Sequence, residues 1–133
     1  MAGGGKLYLR VHGTAGLTRA AQKFGEEGYA LFLKNLGDAA ETIAEGVRER
    51  YLTVNKSGPD QRGADGVVVR LNPKGAAVAQ SLRKSEFPSL RRPNYGPRML
   101  AKAFIPAMRA DRADVVARAK AALEEAKNLY WRG

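Results

Sequence analysis

An α+β fold is what this sequence predicts, with a small antiparallel or mixed sheet packed by a long N-terminal helix and a C-terminal helix. Three observations predict it. Two short β-type runs, "KLYLRV" (6–11) and "VVVRL" (67–71), stand far apart in the chain. Two long stretches, one between them and one at the C-terminal end, repeat apolar residues every three or four positions. The chain has 133 residues, 44% of them apolar and 27% charged, which is enough for one domain with a modest core. With no internal repeat, residues 1–133 read as a single domain.

Residues 2–5 ("AGGG") read as a flexible tail. In "KLYLRV", Leu7, Leu9 and Val11 alternate with Tyr8 and Arg10, the pattern of a half-buried strand that Gly13 ends. A helical region follows, capped by Thr14 or, one turn later, by Thr18. Leu17, Ala20, Ala21 and Phe24 share a face. Gly25 and Gly28 each weaken the helix by about 1 kcal/mol relative to Ala, so a bend or break is expected there. The apolar face resumes at Tyr29, Leu33, Leu36, Ala40, Ile43, Ala44, Val47 and Tyr51.

Residues 55–66 ("NKSGPDQRGADG") crowd Gly, Pro, Asn and Asp together and read as a mobile loop. The strand at 67–71 ends at Asn72-Pro73. "GAAVAQSLRKS" (75–85) predicts a short helix, with Val78 and Leu82 four apart. Pro88, Pro93 and Pro97 make residues 86–99 extended or turn-rich rather than helical. The last helix begins near Ala101, with Phe104, Met108, Val115, Ala119, Ala122, Leu123, Ala126 and Tyr130 on one face. Pro106 is read as part of its first turn, where a missing N–H leaves nothing unpaired. Asp111 and Asp114 offer a second capping point, so a short helix followed by a longer one is the alternative.

The net charge is +10 and it is concentrated. From Lys56 to Lys102 ten basic residues face three acidic ones, an excess of +7. Such a field attracts polyanions in a salt-dependent way; the competing reading is a solvated basic surface. Arg83, Lys84, Arg91, Arg92 and Arg98 are the candidate contacts. Tyr51, Phe87, Tyr95 and Phe104 flank the basic stretch, and core packing is their commoner use, with base stacking as the rival.

Convergent catalytic groups are missing. His12 is the lone histidine and has no acid or nucleophile near it in sequence. Glu26-Glu27 and Glu124-Glu125 point about 100° apart on a helix. Ser57, Ser81, Ser85 and Ser89 lack a nucleophile-elbow context. With no cysteine and one histidine, a Cys/His metal site is excluded, and Asp60 and Asp65 lack calcium-loop spacing. The reading is a non-enzyme with no cofactor. The N-terminus lacks a secretory signal, and the longest strongly apolar run, "GYALFL" (28–33), is far too short to span a membrane.

The C-terminal stretch "YGPRMLAKAFIPAMRADRADVVARAKAALEEA" resembles the end of the tail-completion, or neck, proteins of long-tailed phages. In that family an Ala/Arg-Pro-Phe-x-x-Pro-Ala phrase precedes a charged amphipathic helix. Here the phrase is Ala101-Lys102-Ala103-Phe104-Ile105-Pro106-Ala107, with Ala103 where a proline is usual. "LYLRVHGTAGLTRAAQKF" is similar to the family's strand, Gly-Leu and first helix. The middle departs: "VNKSGPDQRGADG" stands where a Pro-x-x-Thr-Gly-x-Leu phrase is usual, and "AAVAQSLRKSEF" where a Tyr-Ala…Glu-x-Gly-Thr segment is.

The resemblance implies a structural virion protein, made in the host cytoplasm and built into the head–tail junction. Its partners would be copies of itself in a hexameric ring, the head-side connector or stopper, and the tail terminator or tail tube, with packaged DNA passing through. Phe104, Pro106 and Met108 would then anchor the last helix. Two alternatives stand beside it: a free nucleic-acid-binding protein using the same basic stretch, and another ring-forming virion component such as a tail terminator or stopper.

Overall fold

The computed structural model describes residues 7–131, so the Gly-rich segment 2–5 lies outside the described residues. Three strands, β1 (Tyr8–Arg10), β2 (Val67–Asn72) and β3 (Gly75–Gln80), form an antiparallel sheet in the order β1-β3-β2. The helices are α1 (Ala15–Ala21), α2 (Gly25–Tyr51), α3 (Gln61–Asp65), α4 (Tyr95–Met99) and α5 (Ile105–Tyr130). The fold is α+β, as the sequence predicts.

β1 lies within the expected segment, and Leu7 and Val11, just outside it, are buried. Thr14 stands at the N-cap of α1, yet its side chain caps nothing. Its hydroxyl donates to Val11 O (2.7 Å) and accepts from Ala76 N–H (3.1 Å), tying the start of the helix to β3. Thr18 lies inside α1 and bonds Thr14 O (2.8 Å), so neither threonine caps. The expected break falls at Gly25, whose φ of +79° turns the chain from a 3-10 turn (Gln22–Phe24) into α2.

The segment predicted as a helix at 75–85 is instead strand β3 up to Gln80. Asn72 Oδ1 accepts the Lys74 N–H at 2.8 Å, and the chain reverses through Pro73-Lys74 so that Asn72 pairs with Gly75. β3 then lies between two strands, and all six of its residues are buried. Helix propensity of alanine yields here to the ladder on both sides. Gly75 has φ +103°, and a Cβ there would sit 2.4 Å from Thr14 Oγ1 and 2.9 Å from Ala15 N. Gly75→Ala is therefore expected to cost about 2–3 kcal/mol, read as a lower denaturant midpoint at unchanged slope.

Residues 55–66 are not wholly loop, because α3 forms within them. Asp60 caps it, its Oδ1 accepting the Gly63 N–H at 2.9 Å. Buried Gln80 fastens α3 to the sheet: its Nε2 donates to Gly63 O (2.8 Å) and to the Tyr51 hydroxyl (3.3 Å), and its Oε1 accepts from Leu82 N–H (3.1 Å). From α2, Arg48 donates to Val67 O at the start of β2 from Nε (3.2 Å) and Nη2 (2.7 Å). Partial burial alone would lower the Arg48 pKa, but Glu41 and Glu45 outweigh it and raise the guanidinium above its ordinary value.

Residues 86–99 also correct the sequence reading. A 3-10 turn (Pro88–Arg91) and α4 form there. Pro97 is the third residue of α4, where its absent N–H has no partner to lose. α4 then runs without a loop into a π-helical turn (Leu100–Phe104) and α5, a helical run of 36 residues. Pro106 is the second residue of α5, in its first turn, but helix rather than loop precedes it. Ile105 N–H bonds Leu100 O, five residues back. This wider turn comes where an unbroken α ladder would meet the proline ring and lack its donor.

α2 and α5 pack antiparallel. Arg118 reaches Thr42 (3.1 Å), and Asn35 reaches Glu125 (3.4 Å). α2 carries the core against the sheet with Phe32, Leu36, Ile43, Val47 and Tyr51, all fully buried. α5 contributes Ala107, Met108, Val115, Ala119, Ala122 and Ala126. Tyr51, at the end of α2, meets Phe104 edge-on, with ring centroids 6.3 Å apart. The end of α2 and the beginning of α4–α5 thus come together at one end of the molecule.

Candidate functional site

At that end, Asn55, Ser57, Gly58, Pro59 and Asp60 face Ser89, Arg92, Tyr95 and Arg98 across a cleft of about 270 Å³. A second recess of about 190 Å³ adjoins it, with mostly apolar walls from Arg92, Pro93, Asn94, Tyr95 and Arg98. Arg92, just after the 3-10 turn, and Arg98, on α4, are the arginines of the cleft, and the chain leaving α2 supplies the opposite wall. Arg98 Nη2 donates to Asn55 Oδ1 across the cleft. Arg92 is exposed and makes no side-chain hydrogen bond among the described residues. Asp60 adds one carboxylate, partly engaged in capping α3.

The five basic candidates therefore separate. Arg92 and Arg98 share both cavities, and Arg91 adjoins Arg92 on the exposed surface without lining either. Arg83 is bound to Glu86, whose Oε1 also accepts the Arg83 N–H (3.0 Å), with Arg83 Nε at 3.1 Å. The Arg83 backbone N–H, then its guanidinium, hold the Glu86 carboxyl below its ordinary pKa. Lys84 is exposed and lines neither cavity.

All four flanking aromatics are buried. Tyr51 packs on Phe104, and Phe87 meets Tyr95 edge-on with centroids 5.6 Å apart. None presents an open face on which a base could stack. Tyr95 forms part of the cleft wall, but its hydroxyl points into the protein. It is the one buried side-chain polar atom without a hydrogen-bond partner among the described residues. The Tyr51 hydroxyl lies near it without reaching hydrogen-bond geometry. Burial, then the Tyr51 phenol beside it, raise the Tyr95 pKa well above its ordinary value.

Phe104 and Met108 are buried in the core, and Pro106 is half-buried beside them. His12 is exposed, and its carbonyl accepts from Arg112 (3.4 Å). Ser81 bonds Gly66 O (2.7 Å), whereas Ser57 and Ser89 line the cleft. No group of three or more His, Asp or Glu side chains suited to a metal occurs among the described residues, and no described helix is long and apolar enough to cross a membrane. Asn55, Ser57 and Ser89 are the site residues that sequence reasoning missed. The signal for them was Asp60, an N-cap residue ahead of Gln61, which turns the supposed loop into a fixed wall.

Comparison with family models, with curated proteins and with solved structures returns no match.

Proposed function

We propose that the protein is a structural component of a phage head–tail junction, a tail-completion or neck subunit that assembles as a ring joining the head connector to the tail. The reading starts from the resemblance of residues 7–24 and 95–126. The observation that carries it is the meeting of Arg92 and Arg98 on one exposed cleft, at the end where α2 stops and α4 starts. An α+β unit with two long antiparallel helices is rigid enough to repeat one heterologous contact around a closed ring. A basic end suits phosphate attraction in a DNA channel, or an acidic neighbour in the neck. Its work is adhesion and geometry, with no turnover and no cofactor.

Arg91→Glu combined with Arg92→Glu tests the reading. Both side chains are exposed, so the melting temperature is expected to stay unchanged. Ring formation, followed by sedimentation, or DNA retention is expected to be lost. Normal infectious particles carrying both changes would remove this segment from the functional account. The same cleft also favours the second reading, a free nucleic-acid-binding protein. Tight, steeply salt-sensitive DNA binding by a chain that stays monomeric would decide for that reading.

A further inference from the structure

Resting on the DNA-contacting part of that reading, we propose that the cleft between residues 55–60 and 89–98 seats one phosphodiester of a nucleic-acid backbone, with its sugar against the adjoining Pro93–Tyr95 recess. The charge count selects this ligand. Two guanidinium groups, Arg92 and Arg98, face one carboxylate, Asp60, leaving a net +1 that matches a singly charged phosphodiester. A doubly charged phosphate monoester would lie close to Asp60 with no third cation on the cleft wall. Arg98 is already oriented, because Asn55 holds its guanidinium from the opposite side, so less side-chain entropy is lost on binding. Arg92 has no side-chain partner among the described residues and is free to close on the ligand. Ser57 and Ser89 supply hydroxyl donors at the walls.

The apolar recess explains why a chain phosphate fits better than a free ion. It shares Arg92, Tyr95 and Arg98 with the polar cleft, so a group bonded to the phosphate passes directly onto the Pro93 and Tyr95 surface. With Arg92 and Arg98 engaged on the phosphate, Asn94 is what the recess lining leaves to read a base edge, and the aromatics are buried. The contact therefore fixes position on the strand and reads no sequence.

The test uses the full chain and a short fluorescein-labelled DNA duplex, followed by anisotropy over a range of salt. Arg92→Gln with Arg98→Gln is expected to weaken binding at least about tenfold and to reduce the slope of log K against log salt by about 0.9 for each phosphate left without its cation. Lys23→Gln with Lys127→Gln removes the same charge from exposed positions at the other end of the helix pair, about 40 Å away along α2. That control is expected to change affinity less than about twofold. Equal weakening by the two pairs would reduce the cleft to generic surface charge and overturn the proposal. Asp60→Asn keeps an N-cap residue but removes the carboxylate. Inorganic phosphate is expected to compete with DNA more strongly in this variant, and unchanged competition would overturn the charge-matching argument. Oligomeric state is measured on the same samples. A wild-type chain that forms rings yet never retains DNA overturns the cleft assignment and leaves the ring. A chain that retains DNA through Arg92 and Arg98 without forming rings upholds the cleft and rejects the ring.

Discussion

Phe104→Ala is expected to lower the melting temperature by on the order of 10–20 °C, corresponding to a loss of about 3–5 kcal/mol. Phe104 is 1% exposed and belongs to the central core. It closes the π-helical turn, and its ring meets Tyr51 edge-on, at the point where α2 is joined to α4–α5. Truncation removes the apolar transfer term and the edge-to-face contact, and leaves a void. The void is hard to collapse, because Tyr51 is held from behind by Gln80 and the Leu100–Phe104 backbone is held by its widened turn. Phe104→Leu, which keeps most of the volume, should recover the greater part of the loss. Thermal unfolding followed by far-UV circular dichroism reads both. An unchanged midpoint in the alanine variant would mean that Phe104 works at a subunit contact instead of in the core.

The same residue shows how the fold was legible. Phe104 and Met108 fall on the apolar stripe of the last helix, and the stripe from Leu36 to Tyr51 marks the buried face of α2. Periodicity found these because long helices average over many positions. It missed Phe32 and Ala39, which widen the face that α2 buries against two neighbours at once. Strand β3 was not legible for a different reason. Its alanines favour helix, and Val78 and Leu82 match a helical spacing by chance. Only the strands on either side make Ala76, Val78 and Gln80 an inward row, and that is a fact about partners distant in sequence. Helix α4 was hidden because three prolines in residues 86–99 argue against helix, yet Pro97 falls in a first turn. The site divides in the same way. Arg92 and Arg98 were legible as cations, and the pairing of Arg83 with Glu86 follows an i,i+3 spacing. The opposite wall, Asn55 and Ser57, depends on the Asp60 cap and on Gln80 gripping Gly63.

Stability is expected to fall steeply above about pH 10, with Tyr95 and Tyr51 as the cause. Burial is the largest influence on each phenol and raises both pKa values, Tyr95 by far the more. The nearby Asp60 carboxylate acts in the same direction on both, and Arg98 opposes it at Tyr95. The folded protein therefore keeps these protons after the unfolded chain, with an ordinary phenol pKa of about 10, has begun to release them. Below that pH both states are protonated and the full stability is present. Above it the unfolded state binds fewer protons than the native state, so the free energy of unfolding falls as pH rises. A buried phenol contributes a slope of up to about 1.4 kcal/mol per pH unit until its folded pKa is reached, and Tyr95 sustains it over the wider pH range. Urea midpoints at about pH 8 and about pH 11 measure it. Tyr95→Phe isolates the larger share: it should remove the greater part of the alkaline slope. At neutral pH it should hold or raise stability, by up to about 1–3 kcal/mol, because the hydroxyl it deletes is buried without a partner among the described residues. Tyr51→Phe removes a hydroxyl that accepts from Gln80, so it should lose stability at neutral pH while also flattening the alkaline limb. If Tyr95→Phe keeps the wild-type slope, the Tyr95 phenol ionises in the folded chain at its ordinary pH. The wall of the cleft would then be open to water instead of sealed against the core.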